Sequence, residues 1–368
     1  MSEKMKNRIL PLVMALFIGG MCLVSVFTPD KEYSNAERRR LAEMPELSVE
    51  TLMNGSFMKD FESYTMDQFP LRETFRSIKA SAELSLFGKK TVNGYYAVEE
   101  SISKLEYPMN TQMLNNAVNK FDYLYETYLL PENIKPYLVM VPDKNYYLAE
   151  NNGYLSMDYE ELFSYVTEAA PYMKNIKIED LLSAEDYYLT DTHWRQEKII
   201  DVAERIAEQM GTKLCDSYVE NKLKEPFYGV YFYQSALGSS PDELIYLTSD
   251  VLDKCIVTYY DYGTPKEGDL YNLKKAAGND AYEIFLSGSA PIVSIENPEA
   301  LTSKELIIFR DSFGSSLAPL LVSGYEKITL VDIRYVQSSS VGEFVDFADC
   351  DALFLYSTML LNNSGALR

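Results

Sequence analysis

Apolar and polar positions follow three rhythms along this chain. From Ile9 to Phe27 the run ILPLVMALFIGGMCLVSVF carries no charge for 19 residues, close to the ~20 that cross the hydrocarbon core of a bilayer, and it predicts one transmembrane helix. Beyond it, Phe57, Phe61 and Tyr64 recur at helical spacing until Pro70 interrupts them, so residues 28–105 read as a linker region of short amphipathic helices. From residue 106 onward, helix-like stretches alternate with short apolar runs. A helix over 113–130 is closed by Pro131, a buried strand follows in KPYLVMVPD, a helix in YEELFSYVTEAAPYM, and a short strand at 175–180 (NIKIED). This alternation predicts an α/β domain with a mostly parallel sheet.

The rhythm changes over about 212–300, where PFYGVYFYQSALGSS, CIVTYYDYG and AYEIFLSGSAPIVSIEN are rich in tyrosine, phenylalanine and glycine. Such texture predicts hairpins and loops, a β-rich insertion within the domain spanning 106–368. Strands and helices then return with ELIIFRD (305–311), SSLAPLLVSGY, KITLVDIRY and DALFLYST.

Composition narrows the classes open to it. The 368 residues carry 34 Lys and Arg against 55 Asp and Glu, a net charge of −21, which argues against a nucleic-acid partner that needs clustered cations. Cys22 lies within the apolar run, and Cys215, Cys255 and Cys350 are far apart, so no disulfide framework is readable, although one pair stays open to bridging. With one histidine and no Cys-x-x-Cys, neither a metal site nor a cofactor is expected. The 30 tyrosines suit sugar stacking but are mostly packing and surface residues.

The apolar run is read as an uncleaved anchor, because LVSVFTP offers no small-x-small cleavage site. Lys4, Lys6 and Arg8 place residues 1–8 as a cytoplasmic tail, against Lys31, Arg38, Arg39 and Arg40 on the other flank. The expectation is a single-pass plasma-membrane protein whose C-terminal domain is extracytoplasmic.

Two places could carry chemistry. LTDTHWRQEKIIDVAERIAEQMG begins polar and continues as a helix with Ile199, Ala203, Ile206 and Met210 on one face, ending at Gly211, which puts Asp191 and His193 at a helix start. There the Asp191 carboxylate can reach the imidazole and fix its tautomer. The plainer reading makes Asp191 or Thr192 an N-cap and His193 a buried ring beside Trp194. In ELIIFRDSFGSSLAPLL a strand turns sharply into a helix and sets Ser312 at the carboxyl edge of the sheet, where ligands of α/β proteins bind. Ser312 reads as a nucleophile needing a base, or as an N-cap, a role open also to Ser315 or Ser316. Gly288 is a second oxyanion amide or a turn glycine, and Arg334 and Tyr335 bind substrate or form a surface ion pair and a core ring.

The motifs DTHW (191–194) and RDSFGSS (310–316) resemble the two signatures of the DHHW proteins. SNAERRRLAEMPELS, DQFPLR, YLVMVPDKNYYL and VDIRY extend the resemblance over most of the chain. That family is similar to the SGNH hydrolase-like alginate O-acetylation proteins. The resemblance implies a three-layer α/β/α SGNH-like domain in which Asp191, His193 and Ser312 are acid, base and nucleophile. It implies acetyl as the acyl group, a polysaccharide as acceptor and a membrane-bound O-acyltransferase as donor. Two positions depart from the pattern: Thr192 stands in place of the family's first histidine, and Ser289 where asparagine is expected after Gly288. The expected function is a serine O-acyltransferase acting on polysaccharide, with an acylesterase or a non-catalytic glycan-binding scaffold as alternatives.

Overall fold

The computed structural model describes residues 3–34, 37, 39–214, 217–260, 265–278 and 280–368. They form two compact units, Met1–Val92 with Tyr233–Gly238, and Asn93–Phe232 with Ser239–Arg368.

The first unit begins with α1 (Glu3–Phe27), of which the 20 residues Arg8–Phe27 are long and apolar enough to cross a membrane. A two-residue ribbon, β1 (Tyr33–Ser34) and β2 (Arg39–Arg40), follows, and then α2 (Val49–Met53), α3 (Ser56–Asp67) and α4 (Arg72–Ser85). Pro70 falls between α3 and α4, as its missing N–H requires. The Arg39 guanidinium grips the Asp67 carboxylate in a fork, at 2.7 and 2.5 Å, and pins the ribbon to the end of α3.

In the second unit the elements run β3 (Tyr95–Val98), β4 (Ser101–Lys104), α5 (Thr111–Leu124), β5 (Tyr137–Val141), α6 (Lys144–Leu148), α7 (Tyr159–Ala169), β6 (Lys174–Asn175) and α8 (Ile200–Gln209). After them come β7 (Val219–Lys222), α9 (Val230–Ser235, of which Tyr233 onward belongs to the first unit), β8 (Ile245–Thr248), β9 (Ile256–Tyr260), β10 (Lys266–Gly268) and β11 (Ile292–Glu296). The chain closes with β12 (Glu305–Arg310), α10 (Gly314–Leu321), β13 (Lys327–Val331), β14 (Cys350–Ser357) and α11 (Thr358–Leu361). Eight strands make the central sheet in the order β10-β9-β11-β13-β12-β14-β5-β6. The five from β13 to β6 are parallel, whereas β11, β9 and β10 each run antiparallel to the preceding neighbour.

Helices cover both faces. On β12, Leu306 and Ile308 pack with Val202 and Ile206 of α8 and Leu317 and Leu321 of α10, while Ile307 and Phe309 pack with Phe121 of α5 and Val166 of α7. A strand buried on both sides reads as the unbroken apolar run seen in ELIIF. The layers are therefore α/β/α. Within 212–300, β7 and β8 pair in a separate ribbon, while β9, β10 and β11 extend the central sheet.

Two expectations need correction. The strand expected at 175–180 pairs with β5 only at Lys174–Asn175, and after the Ile176 N–H donates to Leu138 O (2.8 Å) the chain leaves the sheet. It is the edge strand, with a neighbour on one side only. Asp191 and His193 do not open a helix either: α8 starts at Ile200, and the segment before it is irregular. Cys255 and Cys350 are thiols rather than a disulfide, and Cys215 lies outside the described residues.

Candidate active site

Ser312 occupies the turn between β12 and α10, and this turn is built by the residue before it. Asp311 accepts the Phe313 N–H at Oδ1 (3.0 Å) and the Ser357 N–H, from the end of β14, at Oδ2 (2.8 Å). The carboxylate thus folds the serine turn and ties it to the neighbouring strand. Gly314 packs closely on the strand end, where a Cβ would stand 2.8 Å from Arg310 Cβ. Helix α10 has Phe313 at its N-cap and no side-chain cap, so neither Ser315 nor Ser316 takes the capping role expected of them. Ser316 Oγ instead accepts the Trp194 indole N–H at 2.9 Å and is hydrogen bonded to Tyr282 Oη at 2.8 Å. Ser312 is half-buried, while Asp311 and Phe313 on either side are buried.

His193 reaches this serine from an irregular segment 119 residues earlier in sequence. Its Nε2 accepts the Ser312 hydroxyl across 2.7 Å, and its Nδ1–H donates to Asp191 Oδ1 across 2.6 Å, the tautomer this pairing requires. Asp191 Oδ1 also accepts the His193 backbone N–H (3.0 Å), and Oδ2 accepts the Val230 N–H (2.7 Å). With its oxygens committed to these donors, the Asp191 carboxylate caps no helix, and α8 starts only at Ile200.

The segment is held from outside. Asp242 accepts the Leu189 N–H (2.6 Å), the Thr190 N–H (2.8 Å) and the Thr190 hydroxyl (2.5 Å), and Thr190 Oγ1 in turn accepts the Gly229 N–H at 2.9 Å. Gly229 lies so close to Asp191 that a Cβ would stand 2.2 Å from Asp191 Cβ. The ammonium of Lys144, 1% exposed, donates to Tyr188 O (2.8 Å) and Leu189 O (3.1 Å). Burial pushes its pKa down to about 7, against the attraction of Asp242 and Asp191. Burial likewise pushes the Asp242 carboxyl up, opposed by its bonds from Thr190 and Leu189 and by Lys144. The Thr192 hydroxyl accepts the Tyr231 hydroxyl at 2.9 Å. The aromatic ring of Tyr282 covers one face of His193.

Asp191, His193 and Ser312 are therefore brought together in one hydrogen-bonded chain. The other three residues singled out from the sequence are engaged differently. The Gly288 N–H closes a turn onto Phe285 O (3.2 Å), and its φ of 80° favours glycine. Arg334 binds Asp332 through Nε (2.9 Å) and Nη2 (2.6 Å), and the Tyr335 hydroxyl meets Ser289 Oγ at 3.1 Å. None of these hydrogen bonds includes Asp191, His193 or Ser312. Asp242, Lys144, Gly229 and Tyr282 were missed by sequence reasoning. Lys144 alone left a trace, a lysine three residues beyond a buried strand in VMVPDK.

The sheet, the helices on both its faces and the serine at the carboxyl end of a central strand make a three-layer α/β/α fold. A solved structure of a DHHW family protein from Eubacterium siraeum DSM 15702 shares it with a TM-score of 0.61, at 20% identity over 75% of this chain and 94% of that one. Bacillus cereus PatB1 carrying a sulfonyl adduct is also similar, with a TM-score of 0.59 and 18% identity over 73% of this chain and 95% of that one. PatB1 without the adduct gives a TM-score of 0.57 at 16% identity over 73% of this chain and 96% of that one. No protein-family model matches the chain. No curated protein sequence matches it significantly.

Proposed function

We propose that this chain is a membrane-anchored, extracytoplasmic serine O-acyltransferase that passes an acyl group through Ser312 to a polysaccharide hydroxyl. The observation that carries this reading is the chain of hydrogen bonds from Asp191 through His193 to a half-buried Ser312. Ser312 Oγ attacks the carbonyl carbon of an acyl donor while its proton passes to His193 Nε2. Collapse of the tetrahedral adduct breaks the bond to the leaving group, which takes that proton and leaves Ser312 as an ester. An acceptor hydroxyl then gives its proton to His193 and attacks the ester carbonyl, and the Ser312 oxygen departs with the proton returned. Asp191 holds the imidazole tautomer throughout. The N-terminus of α10 lies beside Ser312, and its dipole favours the negative charge that develops there. Acetyl as the acyl group, a glycan acceptor, a membrane-bound O-acyltransferase as donor and the outward orientation of the anchor all rest on the resemblance of DTHW and RDSFGSS to the DHHW signatures.

The test is covalent labelling of the full chain in detergent with a fluorophosphonate, located by mass spectrometry. Label on Ser312 that disappears in His193→Ala is expected. A folded wild-type chain that takes no label would overturn the reading, and a non-catalytic glycan-binding protein would take its place. The sulfonyl adduct on Bacillus cereus PatB1 recommends a sulfonyl fluoride as a second reagent.

A further inference from the structure

One face of His193 is covered by a ring from a distant part of the sequence. Tyr282, in the short turn Ala281–Ile284, lies flat on the imidazole, with ring centroids 3.8 Å apart and planes within 3° of parallel. Phe313 stands near the imidazole at 5.0 Å, tilted by 56°. Tyr282 is fixed at both ends. Its N–H donates to Asp280 Oδ1 (3.1 Å), and its hydroxyl is hydrogen bonded to Ser316 Oγ (2.8 Å) and donates to the Ser312 carbonyl (3.4 Å). Phe285, at 5.0 Å, and Tyr188, at 6.3 Å, pack against the tyrosine ring, which is 4% exposed.

A flat aromatic face is electron-rich, so it attracts a cation above it more than a neutral ring. His193 is neutral while it accepts the Ser312 hydroxyl and becomes a cation once it holds that proton. The stack therefore strengthens as the reaction proceeds, which is the kind of interaction that raises rate rather than ground-state affinity. Anchoring of Tyr282 to Ser316 and to the Ser312 carbonyl also sets the plane of the imidazole relative to the serine it serves.

We propose that Tyr282 is a positioning residue of the acyl-transfer site, holding the plane of His193 and favouring its cationic form while the Ser312 proton rests on Nε2. This inference rests on the reading of Ser312 as nucleophile given above.

Because the chain contains a single histidine, ring-13C-labelled histidine gives one set of imidazole signals from the full chain in detergent, separated from the tyrosine and phenylalanine rings. The stack predicts ring C–H resonances shifted upfield of free imidazole in wild type and in Tyr282→Phe, and relaxed in Tyr282→Leu. The same three proteins are assayed with p-nitrophenyl acetate. Tyr282→Leu is expected to lose about tenfold in kcat, equivalent to ~1.4 kcal/mol, with KM held. Tyr282→Phe is expected to bring the rate back to within about threefold of wild type, since the ring face is kept. A role confined to packing would lower the melting temperature of Tyr282→Leu and leave kcat per folded molecule intact, and that result would overturn the proposal. If Tyr282→Leu does not fold, the wild-type spectrum decides, and an imidazole without an upfield shift refutes the stack. Absence of fluorophosphonate label on wild-type Ser312 marks failure of the nucleophile reading itself, whereas normal labelling with an indifferent Tyr282→Leu marks failure of this inference alone.

Discussion

The two sides of the candidate site are held in place by different means. Ser312 is positioned by regular structure: β12 ends, Asp311 folds a turn and α10 begins, so the serine follows from where a strand stops. Asp191 and His193 sit in an irregular segment positioned by groups from elsewhere: the Asp242 and Lys144 side chains fix its backbone, and the Gly229 N–H holds the Thr190 hydroxyl. A nucleophile placed by a strand–helix junction tolerates changes around it as long as both elements form. A base placed by a set of individual hydrogen bonds depends on each of them. The difference shows where the molecule concentrates its precision, namely on the group that must hand a proton over a single hydrogen-bond length.

The sharpest way to break the contrast is a methyl group on each side. Gly229→Ala puts a Cβ 2.2 Å from Asp191 Cβ and 2.6 Å from its Cα. Backbone must move to relieve it, and displacement of the acid by even ~1 Å is expected to lower the rate of Ser312 labelling ~100-fold. Gly314→Ala meets Arg310 Cβ at 2.8 Å on the serine side, within a helix that gains from alanine, and is expected to cost less than ~10-fold by the same assay. Equal losses would remove the distinction.

A smaller effect is expected of Asp242→Asn, which replaces the carboxylate that receives three donors from Leu189 and Thr190. An amide accepts through one oxygen only, so stability in urea should fall by ~2–3 kcal/mol. Labelling of the folded fraction should slow as the histidine segment loosens, while the turn around Ser312 keeps its structure.

Lys144→Met should show its effect chiefly in how stability depends on pH. The folded-state pKa of about 7 lies below the ~10.4 of an unfolded lysine, so the unfolded chain binds more protons between these values. Stability contributed by this group therefore rises with pH across that window, at up to ~1.4 kcal/mol per pH unit. Urea midpoints measured between pH ~7 and ~9 should lose that slope in the variant. A slope unchanged by Lys144→Met would assign it to other groups.

Legibility in the sequence follows the same division. The strand in ELIIF, the break at RDSFG and the helix after it announce the serine side, because burial on both faces and a change of period are visible in composition. DTHW announces the pairing of Asp191 with His193, because the two are neighbours in the chain, although it suggested a helix that begins only at Ile200. The residues that hold the segment were not legible: Asp242 and Gly229 lie 49 and 36 positions from His193 among tyrosine-rich loops, and nothing in local spacing marks their contact. The parallel core of the sheet could be read from its alternating helices, but the joining of β9, β10 and β11 to its edge depends on pairing between strands, which no periodicity of one strand encodes. Gly288, Arg334 and Tyr335 were chosen for their residue types, and their hydrogen bonds are settled by neighbours such as Phe285, Asp332 and Ser289.

Asp311 has a further consequence for how the site opens. Because one carboxylate closes both the serine turn and the end of β14, the turn has no independent way to fray. Opening it breaks a bond to the end of a central strand, which ties Ser312 to the cooperative unit of the sheet rather than to the loops around it. Its backbone stays ordered for as long as the sheet survives.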